Sequence, residues 1–168
     1  LTGGRVMLGA GAGWMEEEFK LIGENFENRG KRIIEMVQLM RLFWSGESVN
    51  FKGEFYQVAD CKMYPRPVQP TIPVFWGGHS DAAIKRVAKM GDGWHPTQVT
   101  LEQLEEGIKK LRLYCDQFGR DFNSVQIIAR PGDKYDITPE TQAQEDPDLK
   151  LLREKMERAA QVCGLKAR

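Results

Sequence analysis

Two glycine-bearing stretches and two histidines carry the residue types best suited to hold or act on a ligand. The sharper stretch is Gly77-Gly78-His79-Ser80, which follows the apolar run Pro73-Val74-Phe75-Trp76 and precedes a helical pattern from Asp81 to Met90, closed by Gly91. Glycines let backbone approach a ligand closely, and Ser80 stands where an N-cap belongs. The free N–H groups of a helix start, with the positive end of its dipole, suit an anion. Thr97, at the end of the next short strand, would add a hydroxyl. Gly77, Gly78, His79, Ser80 and Thr97 could therefore hold one phosphate together. The same glycines could also serve nothing more than a tight strand-to-helix turn.

The other candidates are weaker. Gly9-Ala10-Gly11-Ala12-Gly13 imitates the dinucleotide fingerprint, but the third glycine it needs, at position 14 or 16, is Trp14 or Glu16. A nicotinamide-binding Rossmann site does not fit. His79 reads as a solvated loop residue, and His95, near a strand end, as the better placed of the two for acid–base work. Glu16-Glu17-Glu18 reads as a solvated first helical turn favoured by the dipole. Trp14, Trp76 and Trp94 lie at or near three strand ends, where they could line a pocket for a flat ring or simply pack under helices. Cys61, Cys115 and Cys163 are far apart and make no zinc or disulfide pattern, so they read as free thiols in a reducing cytoplasm. No metal site is expected.

The elements that must position these residues follow from periodicity. Arg5 to Ala10 is a nearly continuous apolar run, expected to be a strand buried on both faces. Ile33, Met36, Val37, Met40, Phe43 and Trp44 recur at helical spacing, and Gly46 stops the helix. Val49 to Val58 alternates around Lys52-Gly53 as a hairpin, and the proline-rich Tyr64-to-Pro73 tract runs extended. These form an excursion over residues 47–72. Gly91-Asp92-Gly93-Trp94-His95-Pro96-Thr97 enters another buried strand, and Thr100-Leu101-Glu102-Gln103 fits a capping box for a helix that Gly119 ends. Ser124 to Arg130 is the next strand. Residues 133–168 read as a linker and a C-terminal helix that starts at Asp146-Pro147, with the stripe Leu149, Leu152, Met156, Ala159 and Cys163.

Strands alternating with helices make an α/β fold with a parallel sheet and helices outside it. The 168 residues read as a single domain, yet about four parallel strands are too few for a closed barrel of eight. Lys plus Arg and Asp plus Glu number 24 each, so no global field favours nucleic acid or an anionic membrane. No apolar stretch approaches the roughly 20 residues of a membrane span. Leu1-Thr2-Gly3-Gly4-Arg5 lacks both an initiator Met and signal-peptide character, which fits a fragment or a processed chain in the cytoplasm.

Taken as a set and in order, several motifs resemble the luciferase-like monooxygenase family. They are Val6 to Trp14 with Glu18-Phe19, Phe26-x-x-Arg29-Gly30-x-Arg32, Leu42-Phe43-Trp44-x-Gly46 and Phe51-x-Gly53-x-Phe55-Tyr56. Pro65-x-Pro67-Val68-Gln69-Pro70, Gly77-Gly78-x-Ser80 and Gly91-Asp92-Gly93-Trp94 complete it. The resemblance implies a TIM-barrel-type (β/α) fold with an insertion, a redox activity using FMN or the deazaflavin coenzyme F420, and a small organic substrate. It also implies that Gly77, Gly78, His79, Ser80 and Thr97 hold the cofactor phosphate and tail, with Gly11, Ala12 and Gly13 beside the ring. The match starts at what would be the fourth barrel strand and fades after Arg130, so a partial barrel is expected and no catalytic residue is carried over.

Two other readings remain open. A half-barrel has open sheet edges and an uncovered apolar interior, which would drive homo-dimerisation or higher self-association without catalysis. An unrelated phosphate-binding barrel enzyme, such as a sugar-phosphate isomerase, would explain Gly77-Gly78. It would not explain Gly91-Asp92-Gly93-Trp94 or the proline excursion.

Overall fold

In the computed structural model, which describes residues 2–131, short strands and helices alternate as the sequence pattern requires. The order is β1 (Leu8–Ala10), α1 (Glu16–Leu21), α2 (Arg29–Trp44), β2 (Val49–Lys52), β3 (Gln57–Cys61), β4 (Val74–Gly77), α3 (Asp81–Met90), β5 (Gly93–His95), β6 (Thr97–Val99), α4 (Leu101–Gln117), β7 (Gln126–Ile127) and β8 (Arg130–Pro131). A four-stranded parallel sheet has the order β1-β4-β5-β7; β2 with β3, and β6 with β8, form separate pairs. The chain divides into two compact units, one ending at Phe75 and one beginning at Trp76. The expected C-terminal helix and Cys163 lie outside the described residues.

In the first unit the expected strand Arg5–Ala10 shrinks to Leu8–Ala10, and of these only Ala10 is buried. Val6 and Met7 are exposed. The reason is visible in the pairing: β1 ends the sheet order, and Val6 is held by a side chain rather than by a strand. Gln69 accepts from the Val6 N–H at 3.2 Å and donates to the Val6 carbonyl at 2.8 Å. The proline tract thus supplies through Gln69 the two bonds a neighbouring strand would give. Leu8 N–H then donates to the Pro73 carbonyl at 2.8 Å.

Helix α2 runs as expected and ends at Gly46, whose φ of +77° is the left-handed conformation glycine allows. Its buried face differs from the apolar stripe. Val37 and Leu39 are buried, Met36 is exposed, and the carboxylate of Glu35 is turned inward. Glu35 accepts hydrogen bonds from the backbone N–H groups of Glu54 (2.8 Å), Phe55 (2.9 Å) and Tyr56 (2.6 Å), which form the turn between β2 and β3. A Cβ on Gly53 would fall on the Glu35 carboxylate, so a side chain there would have to push that carboxylate away from the three amides it accepts from. The hairpin itself pairs Phe51 with Val58 and Lys52 with Gln57.

In the second unit the apolar faces of α3 (Ala83, Ile84, Val87, Ala88) and α4 (Leu104, Ile108, Leu111, Cys115) are buried and the two helices pack together. Burying each large aliphatic side chain contributes about 1.5–3 kcal/mol. Two glycines make this packing possible. A Cβ on Gly107 would meet the Trp94 ring at 2.3 Å, and one on Gly91 would meet Trp76 at 2.7 Å. Gly91 does close α3, but in an extended conformation (φ −82°, ψ 142°), so its role is clearance rather than a left-handed turn. The capping box at Thr100 and Gln103 forms as expected, and Gly119 follows α4 with φ +65°.

The expected strand Ser124–Arg130 is split. Gln126 and Ile127 pair with Gly93 and Trp94, whereas Arg130 and Pro131 pair with Thr97 and Val99. The break mirrors Pro96, which interrupts the opposite strand because proline has no N–H for the ladder. Gln98 bulges between the paired residues of β6 with φ +55°, an uncommon conformation for a side-chain-bearing residue.

Candidate functional site

The second unit brings the proposed phosphate residues to one edge of the sheet. Gly77 ends β4, Thr97 begins β6 just beyond the end of β5, and β4 and β5 are neighbours in a parallel sheet. Gly78 has φ +90°, and a Cβ there would lie 3.1 Å from the Ala83 Cβ, so both conformation and space favour glycine. Gly78, His79, Ser80 and Thr97 are exposed.

The helix start is built as the residues predict. Ser80 is extended (φ −67°, ψ 156°), and its hydroxyl oxygen accepts from the Ala83 N–H at 3.3 Å. That leaves the hydroxyl hydrogen available to donate outward. The N–H groups of the first helical residues, Asp81 and Ala82, have no intrahelical acceptor by the geometry of any helix start. An exposed left-handed glycine, a donor hydroxyl and first-turn amides together fit a phosphate.

A carboxylate at this end would oppose an anion, and Asp81 is in the first turn. Its charge is directed elsewhere. The Tyr114 hydroxyl donates to Asp81 Oδ1, and Lys85 pairs with Oδ2 at 2.9 Å. The Tyr114 hydrogen bond first, and Lys85 second, hold the Asp81 carboxyl below its ordinary range, while the same contacts raise Tyr114 and Lys85.

Beneath the loop, the Trp94 indole N–H donates to the Gly78 carbonyl at 2.8 Å. Trp94 and Trp76 are both fully buried, whereas Trp14 is 80% exposed. Two of the three tryptophans therefore pack under helices and none of that pair lines an open ring pocket. His95 is half-buried, and its Nδ1 lies 2.6 Å from the Ile128 carbonyl. A carbonyl only accepts, so Nδ1 is the donor in this contact. His79 has no such anchor among the described residues.

The first unit contains the other glycine loop. Gly11 is exposed with open space around it, Ala12 is half-buried, and Gly13 has φ +86°. A Cβ on Gly13 would strike the Phe19 ring at 2.7 Å. Arg29 donates from Nε to the Gly13 carbonyl at 3.3 Å and from an η nitrogen to the Phe26 carbonyl at 2.9 Å, with its guanidinium 3.5 Å from the Phe26 ring centre. Phe26 meets Phe19 edge-on, and Arg32 pairs with Glu24. These contacts account for Gly13 by packing. Glu16, Glu17 and Glu18 form the exposed first turn of α1, with Glu16 paired to Lys20 at 2.9 Å, as a solvated face requires. Cys61 is exposed and free; Cys115 is buried, and burial pushes its thiol up. No group of metal-ligating side chains and no helix long and apolar enough to cross a membrane occur among the described residues.

Comparison with known proteins bears on the fold and the family. The chain is 38% identical over 120 residues to an uncharacterized protein of Mycobacterium tuberculosis, covering 71% of this chain and 41% of that protein. It is 32% identical over 142 residues to the pyrimidine monooxygenase RutA of Allorhizobium ampelinum, covering 79% and 38% respectively. It is 37% identical over 97 residues to an F420-dependent glucose-6-phosphate dehydrogenase of Amycolatopsis mediterranei, covering 56% and 29%. Among solved structures, an F420-dependent secondary alcohol dehydrogenase superposes with a TM-score of 0.66 at 25% identity, over 75% of this chain and 39% of that one. The Streptomyces bottropensis monooxygenase RslO1 superposes at 0.63 and 21% identity, over 75% and 40%. The fold is thus the TIM-barrel type, in part: the chain spans well under half the length of these proteins. Residues 1–132 match the luciferase-like monooxygenases as a family, and the chain belongs to it.

Proposed function

We propose that this chain holds the phosphate end of a flavin-type cofactor, FMN or coenzyme F420, for an oxidoreductase acting on a small organic substrate. The observation that carries the reading is the β4–α3 junction. There an exposed left-handed Gly78 leads into a Ser80-capped helix whose one first-turn carboxylate is turned to Tyr114 and Lys85. Gly77, Gly78, His79 and Ser80 would supply backbone and hydroxyl donors, and Thr97 a second hydroxyl from the neighbouring strand end. The bound cofactor would carry the electron transfer; these residues bind and orient it. For Gly11, Ala12 and Gly13 the ring-side role rests on the family resemblance, with Gly11 the member whose surroundings are open. Family membership supports a redox cofactor over a sugar-phosphate isomerase.

Fluorescence titration with FMN, riboflavin and coenzyme F420 tests this. FMN or coenzyme F420 should bind, and FMN should bind at least about tenfold tighter than phosphate-free riboflavin, as charge-assisted hydrogen bonds to phosphate imply. Equal affinity for FMN and riboflavin, with no binding of coenzyme F420, would refute the phosphate site.

A second reading concerns assembly. In the first unit Met7, Trp14, Leu21 and Ile22 are 59%, 80%, 86% and 72% exposed. Large apolar side chains left in water at that level favour burial against another surface, and a second copy of the chain is the proposed one. Sedimentation at micromolar concentration should show a dimer or larger; a monomer would sink the idea.

A further inference from the structure

We infer that Trp94 is a positioning residue that fixes the direction of the Gly78–His79 peptide, and with it the loop's selectivity for anions. The inference rests on the phosphate reading of this loop and extends it to a residue that cannot touch the ligand.

In a trans peptide the carbonyl and the following N–H point in opposite directions across one rigid plane. The Gly78 carbonyl is drawn down to the indole N–H of Trp94, which is itself fully buried. The N–H of His79, on the other side of the same plane, is therefore turned away from the core. Gly78 and His79 are both exposed, so that N–H faces the region where an anion would sit. If the plane turned over, the carbonyl oxygen would face the ligand and repel a phosphate.

Such a turn-over is a real alternative at this position. Turning the plane over rotates ψ of Gly78 and φ of His79; Gly78 has no side chain to resist it, so only the His79 Cβ opposes the change locally. The indole adds a direct hold on the orientation. Trp94 cannot drift, because its ring fills the space that the missing Cβ of Gly107 leaves on α4. The other fully buried tryptophan shows that the bond is not an automatic result of burial: among the described residues Trp76 Nε1 has no hydrogen-bond partner. Trp94 thus links the middle of β5 and the face of α4 to the peptide whose direction decides what the loop attracts.

The test compares the full chain with Trp94→Phe and with a variant carrying benzothienylalanine at position 94, which keeps the bicyclic shape and replaces the N–H with sulfur. Dissociation constants for FMN and riboflavin are measured for all three, with melting temperatures. For coenzyme F420, the same deazaflavin without its phosphate tail takes the place of riboflavin. Loss of one buried hydrogen bond should reduce the preference for the phosphate-bearing partner by about three- to tenfold. Affinity for riboflavin or the tail-free deazaflavin should stay within about twofold, and the benzothienylalanine variant should melt close to the parent, because packing is retained. An unchanged preference in that variant overturns the role of Trp94 while leaving the phosphate site standing. A parent chain with no preference removes the phosphate site itself, and this inference with it. Should Trp94→Phe fail to fold, the benzothienylalanine variant decides alone.

Discussion

The molecule contains two strand–glycine–helix junctions that look alike in sequence and differ in what they can do. At the first, Gly13 is left-handed, Met15 occupies the N-cap position without a side-chain hydrogen bond, and α1 is six residues long with Glu16, Glu17 and Glu18 in its first turn. At the second, Gly78 is left-handed, Ser80 caps, and the ten-residue α3 carries in its first turn only Asp81, already paired. Three carboxylates at a helix start offset its dipole from within. The first junction is therefore poorly suited to an anion, however glycine-rich it is. Glycine marks a place where backbone is tight or open; the cap and the carboxylates beside it determine the charge it welcomes.

Alanine at each glycine separates the two junctions. Gly13→Ala combines a left-handed backbone with a Cβ 2.7 Å from the Phe19 ring and should destabilise the chain by about 2–4 kcal/mol, read by urea denaturation. The FMN-to-riboflavin preference of the fraction that folds should be unchanged. Gly78→Ala meets a softer contact, 3.1 Å from Ala83, and should lose about 1–2 kcal/mol of stability. Its larger consequence should be in binding, with the FMN preference lost. If Gly13→Ala abolished that preference and Gly78→Ala spared it, the two roles would be reversed.

Next in size are the side chains that hold each junction. Arg29→Met removes bonds to the Gly13 and Phe26 carbonyls and the stacking on Phe26, for a stability loss of about 1–2 kcal/mol. Ser80→Ala removes the cap on α3, about 1 kcal/mol, and also a proposed phosphate donor. Arg29→Met should therefore lower the melting temperature without changing phosphate preference, whereas Ser80→Ala should change both. A Ser80→Ala protein that melts lower yet prefers FMN as strongly as the parent would leave Ser80 as a cap and nothing more.

Much of this was legible because local rules operate locally. The Ser80 cap, the Thr100–Gln103 box and the stop at Gly46 all follow from residues within a few positions of each other, whereas the hairpin expected around Lys52-Gly53 turns instead over Gly53 to Tyr56, with Lys52 paired to Gln57. What was not legible depends on partners distant in sequence. The inward carboxylate of Glu35 is hidden in a helical stripe, and Gly53 reads as a turn glycine, so nothing near it in sequence points to the carboxylate that approaches it. The edge exposure of Val6 and Met7 could not be read from an apolar run, because a run does not say how many neighbours its strand will have. Trp94 was visible as part of a motif, but not the bond from its indole to a carbonyl sixteen positions earlier. Pro96 was in plain view as a strand breaker, and its consequence, the split of the partner strand into β7 and β8, was missed because the pairing was unknown.

The smallest effect concerns the carboxylate that distinguishes the second junction. The Tyr114 hydroxyl and Lys85 hold the folded-state pKa of Asp81 below its ordinary value of 3.8. A depressed carboxyl pKa contributes stability that is present above the unfolded value and is lost as pH falls through the folded one. The parent chain should therefore lose more stability than Asp81→Asn when urea midpoints at pH 7 are compared with those below pH 3.8. The difference should be slight, because an exposed pair is screened by water and salt. Tyr114→Phe should move the Asp81 titration, followed by carboxyl NMR, back toward its ordinary range without removing the Lys85 contribution. By baring the charge at the start of α3, it should also weaken FMN more than riboflavin. If Tyr114→Phe moved the titration and left the FMN preference intact, the Asp81 charge would not reach the proposed phosphate, and the contrast between the two helix starts would reduce to their caps.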